Sequence, residues 1–302
     1  MKYHDSVMTK ELVGALDVKK GGQYIDCTLG DGGHSIAILE LGGKVFGLDV
    51  EDGSLERTLA RVRSLGNKNY IENLILKKAN FNDLDKVAQE SGFLQVDGVI
   101  FDLGYSSSQL VDSGIGLSFM ENQPLDMRLD KNLGVTAADL LNALSERELE
   151  KLFFEFGEES QGRKFAKAIV EARALKKFET TNDLVSLIIK ISSVHEKIHP
   201  ATKVFQALRI AVNLELENLR SALPLAAQLL LPGGRMAVIS FHSLEDRIVK
   251  QFSIVQPGIE LLTKKPILPS SEEVRNNPRS RSAKLRVFEK TNRNDQIKTT
   301  QI

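Results

Sequence analysis

The sequence predicts an α/β fold: a doubly wound, Rossmann-like parallel sheet interrupted by an all-helical insert. Three observations predict it. A strand-like run, Gln23 to Leu29, passes straight into the glycine-rich turn Gly30-Asp31-Gly32-Gly33-His34 and then a helix. A second run, Lys44 to Val50, carries Asp49 at its end, where nucleotide-binding sheets place an acid about 20 residues past the glycine turn. Strand and helix then alternate, stop, and resume with one more strand pattern far along the chain.

In order, Leu55 to Leu65 reads as a helix, Leu74 to Phe81 as a third strand, and Val96 to Gly104 as a fourth. Such alternation implies parallel strands with right-handed crossovers, and ligands bind at the carboxyl ends of those strands. Asp26 to Gly33, Asp49, Phe81 and Asp102 to Gly104 all fall at or just past strand ends. The rhythm changes near Ser106. Ser145 and Glu148 form a capping box ahead of Leu149, Leu152, Phe153 and Phe156 at helical spacing, with Gly157 ending the run. A helix follows over Arg163 to Leu175. Thr181 caps another, with Leu184, Leu187, Ile188 and Ile191 at the same spacing, and Pro200 opens a long one through Leu219. Pro232-Gly233-Gly234 then turns into the buried strand Arg235 to Phe241. The expected domains are residues 1–106 with 206–302, and a helical insert over 107–205 that serves substrate recognition.

The chain has 302 residues, 42% hydrophobic and 26% charged, which are ordinary globular values and argue against disorder. No apolar run is long enough to span a bilayer, and the first residues lack the apolar core of a secretion signal, so the expected location is the cytosol. One cysteine, Cys27, excludes an internal disulfide and a cysteine metal cluster; inside the first strand it reads as a buried structural thiol. His4, His34, His195, His199 and His242 have no metal-ligand spacing, so no metal is expected. Net charge is zero, with 40 basic and 40 acidic residues. The tail is uneven: Arg275, Arg279, Arg281, Lys284, Arg286, Lys290, Arg293 and Lys298 face only Glu289 and Asp295. That segment either neutralises phosphates or is a solvated charged tail.

The glycine spacing selects among adenosine ligands. Gly30 and Gly32 match the first two positions of G-x-G-x-x-G, but Ser35 stands at the third, and no P-loop pattern occurs. A turn without the pyrophosphate fingerprint but with the ribose-binding acid suits S-adenosylmethionine. Asp49 is the expected ribose ligand. Phe81 packs either on the adenine or in the core. Asp102-Leu103-Gly104-Tyr105-Ser106-Ser107 follows the fourth strand, where Asp102 can accept from an exocyclic amine and Tyr105 can stack on a base. Ser240 to Arg247 follows the resumed strand. There His242 and Arg247 contact a phosphate or base, or Ser243 with Asp246 simply caps a helix. Arg281 and Lys284 of the basic tail are further candidates for a phosphate-bearing substrate.

These segments together resemble the MraW/RsmH family of bacterial small-subunit ribosomal RNA methyltransferases. The resemblance runs through Asp26 to Ser35, Asp102-Leu103-Gly104, Ser106-Ser107 with Gln109-Leu110, Pro124 to Arg128, Thr136 to Leu140, His199 to Thr202, Phe205 to Asn213, Ser240 to Arg247 and Asn277 to Arg286. It implies a Rossmann-like S-adenosylmethionine-dependent methyltransferase sheet with an inserted helical domain, methylating the N4 amine of a cytidine in 16S ribosomal RNA near the decoding site. The small ribosomal subunit is the implied partner. The family's cofactor contacts carry over to Gly32, Gly33, His34, Asp49, Phe81, Asp102 and Gln109. The chain departs from the family pattern at Ser6, Ser108, Leu117, Ser160 and in Val50 to Gly53, none of which removes a cofactor contact. The rival readings are a methyltransferase of protein or DNA, a non-catalytic RNA-binding assembly factor, and, weakest, a dehydrogenase.

Overall fold

The computed structural model describes residues 6–105, 109, 114–192 and 199–291. The chain divides into two compact units, Met1–Ser106 with Leu216–Ile302, and Ser107–Glu215. The discontinuous unit carries α1 (Thr9–Leu16), β1 (Gln23–Asp26), α2 (Gly33–Glu40), β2 (Lys44–Asp49), α3 (Asp52–Ser64), α4 (Lys68–Glu72), β3 (Leu74–Lys78), α5 (Leu84–Glu90) and β4 (Val96–Asp102). The other unit holds α6 (Ala137–Ala143), α7 (Glu146–Gly157), α8 (Gly162–Arg173), α9 (Thr181–Ile191) and α10 (Thr202–Asn213). The chain then returns through α11 (Glu215–Leu229), β5 (Leu230–Ser240), α12 (Ser243–Val255), β6 (Ile259–Leu261), α13 (Ser271–Asn276) and β7 (Lys284–Lys290).

Among the described residues seven strands form one sheet in the order β3-β2-β1-β4-β5-β7-β6. β1 to β5 pair in parallel, and β7 runs antiparallel to both its neighbours. This is the expected Rossmann-like sheet with two further strands beyond β5. The inner strands are apolar almost residue by residue because helices cover both faces. Tyr24, Ile25, Phe46, Leu48, Val99, Ile100, Phe101, Val238 and Ile239 are buried. Leu12 and Leu16 of α1 with Ile38 and Leu39 of α2 close one face over Val45, Ile100, Ala237 and Leu285. Each such side chain contributes about 1.5–3 kcal/mol on leaving water. Register sets Asp26 beside Ile100 and Asp102 beside Ile239, so the carboxyl ends of β1, β4 and β5 share one edge.

Several local expectations change. The third strand stops at Lys78, and Phe81 opens a short 3-10 turn. The long helix expected from Pro200 to Leu219 is two helices, because Leu214 takes a left-handed φ of 51°. Asn213 holds that break: its Nδ2 donates to Met127 O and Arg209 O, and its Oδ1 accepts from Leu129 N. The helical unit therefore extends to Glu215 rather than 205. α10 belongs to it: Gln206 Nε2 donates to Phe156 O at 3.0 Å, and a Cβ on Gly157 would lie 2.6 Å from Lys203 O. The cap of α9 is Thr180, not Thr181, in a capping box with Asp183. The box of Ser145 and Glu148 forms on α7. Among the described residues no helix is long and apolar enough to cross a membrane.

Candidate active site

The glycine turn joins β1 to α2. Gly30 and Gly32 take positive φ, 52° and 74°, which strains any residue with a side chain. The spaces beside the glycines differ. A Cβ on Gly32 would lie 2.6 Å from Thr58 Cγ2, and one on Gly33 would lie 2.1 Å from Ser6 Oγ. Those two glycines therefore admit the protein's own side chains. Beside Gly30 a Cβ would meet nothing within 4 Å. Below the turn, Asp26 is fully buried and accepts Ser35 Oγ at 2.7 Å and Thr28 N at 3.2 Å. Burial raises its pKa, with His34 and Ser35 opposing. Cys27 is buried and its thiol is pushed well up by burial, the inert structural state expected.

Asp49 sits at the end of β2 and reaches back to the turn. Its Oδ2 accepts Gly30 N at 2.9 Å and its Oδ1 accepts Glu51 N at 3.0 Å. Each oxygen keeps a lone pair for an incoming hydroxyl. Burial raises the carboxyl pKa to about 6 despite these two backbone donors. An anion so poorly compensated is suited to further donors. α3 fastens the turn from the other side. Arg57 Nε donates to Asp31 Oδ1 at 2.8 Å and its Nη2 to Glu51 Oε2 at 3.2 Å, while Thr58 Oγ1 donates to Gly30 O at 3.1 Å. Sequence reasoning missed Arg57 and Thr58. The available signal was a polar stripe at Ser54, Arg57, Thr58 and Arg61 on a helix that follows Asp49.

Asp102 ends β4. Its backbone N donates to Thr28 Oγ1 at 2.6 Å, and its Oδ1 accepts Gly104 N at 3.3 Å. His34 Nε2 donates to Asp102 Oδ2 at 3.1 Å. His34 is buried on the first turn of α2. Burial alone would lower its pKa, but the Asp102 bond and the Asp102 and Asp26 carboxylates hold it above the ordinary histidine value. The turn residue and the strand-end acid are thus one hydrogen-bonded unit. Phe81 is half-buried with its ring edge-on to Phe101, centroids 5.7 Å apart. Tyr105 is half-buried just after the strand; Ser106 and Ser107 lie outside the described residues. Gly104 is obligatory for packing, since a Cβ there would lie 2.6 Å from Phe241.

At the end of β5 the expected cap is corrected. His242, not Ser243, caps α12, in a box with Glu245 rather than Asp246. Asp246 instead takes Arg286 bidentately, Nε at 2.7 Å and Nη2 at 3.3 Å, with Lys284 Nζ at 3.5 Å. Its carboxyl, which burial would raise, is held low by Arg286 and Lys284. Lys284 is therefore engaged with the protein; Arg247 and Arg281 are exposed on the surface, which does not make Arg247 free of partners. Arg293 and Lys298 of the basic tail lie outside the described residues. Gln109 is a buried residue of the helical unit.

The glycine turn, the acid ending β2 and the histidine-bound acid ending β4 all lie within the span of a family model. The MraW methylase family model aligns with residues 1–291. This chain belongs to the MraW methylase family. Among curated relatives, "Ribosomal RNA small subunit methyltransferase H" of Thermomicrobium roseum is 45% identical, over 95% of this chain and 93% of its own length. The protein of that name from Syntrophotalea carbinolica is 44% identical, over 94% of this chain and 97% of its own length. That of Dehalococcoides mccartyi is 42% identical, over 95% of this chain and 86% of its own length. For this member of the MraW methylase family, the corrections above fall on caps, element bounds and the placing of Phe81, and leave the turn, Asp49 and Asp102 at the sheet edge.

Proposed function

We propose that this methylase transfers a methyl group from S-adenosylmethionine to the N4 amine of a cytidine in 16S ribosomal RNA near the decoding site, in the cytosol. The names of its relatives support the RNA, and the resemblance supports the atom. The residues present fit the cofactor. Asp49 is a buried, under-compensated carboxylate with lone pairs for two ribose hydroxyls, and Gly30 leaves open space beside it. Gly32, Gly33, His34, Phe81, Asp102 and Gln109 complete the proposed cofactor set. When bound, the cofactor supplies an electrophilic sulfonium methyl.

The observation that carries the mechanism is the His34–Asp102 hydrogen bond at the end of β4. A cytosine amine is a weak nucleophile because its lone pair is delocalised into the ring. An acceptor on its N–H localises that pair and stabilises the charge that develops. Asp102 offers a carboxylate already oriented by His34 and by Gly104 N, so little reorganisation is needed. Tyr105 follows within the same segment and is the candidate to stack on the base. Alignment of amine and methyl is the main catalytic device in such a displacement. His242, Arg247, Arg281 and Lys284 are the proposed RNA contacts of this unit, Lys284 sharing its charge with Asp246. The helical unit serves substrate recognition.

Mapping modified nucleotides in 16S ribosomal RNA from cells with and without this protein tests the reading. The expected result is loss of one N4-methylated cytidine near the decoding site. An unchanged modification map would sink it.

A further inference from the structure

The helical unit carries a cavity that the reaction chemistry leaves unused. Arg147, Glu150, Lys151 and Phe154 recur at helical spacing on α7, opposite the buried Leu149, Leu152 and Phe153. They line a cavity of about 370 Å³ with Glu159, Ser160, Gly162 and Arg163. Gly162 lets α8 start hard against α7, since a Cβ there would lie 3.2 Å from Phe153 Cβ and 3.5 Å from Glu150 O.

The lining is unlike a solvated helix face. Phe154 is 68% exposed, an uncommon state for a large aromatic on a soluble domain. Among the described residues Arg147 and Arg163 have neither a hydrogen bond nor an ion pair, and Lys151 reaches only Glu155 at 3.9 Å. Of the two carboxylates, Glu159 is buried, with its Oε1 accepting Gln161 N at 2.8 Å. The exposed lining is therefore mainly cationic. Unpaired guanidinium groups beside an open aromatic face suit a ligand that is at once planar and anionic. A nucleotide has both parts, and the volume lies within the range of small-ligand sites, about 300–1,000 Å³.

We propose that this cavity docks one nucleotide of single-stranded RNA, with its base on Phe154 and its backbone phosphates on Arg147 and Arg163. The inference rests on the ribosomal RNA reading and adds to it a specific anchoring point in the helical unit. Stacking would supply affinity without regard to base identity, and the two arginines would supply the salt-dependent part.

The test measures affinity of the full chain for a single-stranded 16S fragment spanning the target cytidine, across a salt series. Phe154→Ala is expected to weaken binding about tenfold with an unchanged salt slope, as loss of one stacked base does. Arg147→Gln with Arg163→Gln is expected to flatten the slope of log K against log salt by about 1.4, for two phosphates on a single strand. Leu175→Ala, which alters a 93% exposed side chain of the same unit outside the cavity, is the control and is expected to bind normally. Thermal melts confirm that each variant folds. Wild-type protein that methylates the RNA, alongside cavity variants that bind it normally, overturns the proposal alone. Variants weakened only toward the intact subunit, and not toward the fragment, assign the cavity to a protein and overturn it too. Wild-type protein that neither binds nor methylates the RNA overturns this proposal together with the methyltransferase reading.

Discussion

The sheet edge and the outer face of α7 use polar groups in opposite ways. At the sheet edge Asp26, His34 and Asp49 are buried, and Asp49 and Asp102 are tied to backbone amides, while His34 ties Asp102 to the turn. On α7 Arg147, Lys151 and Phe154 are exposed, and among the described residues Arg147 and Arg163, on the first turn of α8, are unpaired. A site for chemistry needs groups fixed before the substrate arrives, and burial with hydrogen bonding fixes them. A site that holds a flexible strand needs charge and an aromatic face within reach of solvent. Under the proposed reading, the difference teaches a division of work, orientation at the sheet edge and capture on the helical unit.

This division breaks if a sheet-edge change alters RNA affinity as much as cofactor affinity. The largest effect is expected at Asp49. Asp49→Ala should weaken S-adenosylmethionine at least about 100-fold by calorimetry, since it removes a charged acceptor and the anchor of Gly30. RNA-fragment affinity should stay within twofold of wild type, about the error of such a measurement. The same carboxyl gives a pH dependence. Its pKa is raised to about 6, and ribose hydroxyls favour the ionised form, so cofactor binding should be full above that pH. Binding should fall about tenfold per pH unit below it, and a flat profile between pH 5 and 7 would remove Asp49 as the ribose ligand.

A smaller effect is expected at His34, which touches the acid rather than the amine. His34→Gln should lower turnover at saturating cofactor about tenfold, the loss of one charge-assisted hydrogen bond of roughly 1.5 kcal/mol. The histidine also sharpens the contrast through stability. Its pKa is raised in the folded protein, so its contribution is complete below the unfolded value of about 6.5 and is lost as pH rises through the folded pKa. Thermal melts of the wild type should fall over that interval, and those of His34→Gln should not. The smallest effect lies in the helical unit. Ser145→Ala removes the cap of α7 and should cost about 1 kcal/mol in denaturant unfolding, with cofactor affinity unchanged.

The buried half of this comparison was legible in the sequence, and the exposed half was not. Asp26, Gly30, Asp49 and Asp102 announce themselves because strand ends and glycine turns have local signatures. The antiparallel β7 was hidden, since Lys284–Lys290 lies inside a basic stretch that reads as a tail. The role of His34 was hidden too. Its bond to Asp102 joins residues 68 positions apart, and no spacing rule reaches that far. Leu214 breaks a helix without glycine or proline, because the adjacent Asn213 is hydrogen-bonded to Met127 and Leu129 in a distant loop. His242 takes the cap from the better cap former Ser243 because Glu245, not Asp246, faces back, Asp246 being claimed by Arg286. Arg147 and Phe154 lie off the apolar stripe of α7, and only the start of α8 at Gly162 makes them walls of a cavity.

The central claim is that Asp102, oriented by His34, activates the acceptor amine. Its most direct test is single-turnover methylation of small-subunit particles by Asp102→Ala at saturating S-adenosylmethionine. The account predicts a rate at least about 100-fold below wild type, the usual cost of losing a preorganised electrostatic group, in a protein that still folds and still binds RNA. A rate within a few-fold of wild type would contradict it.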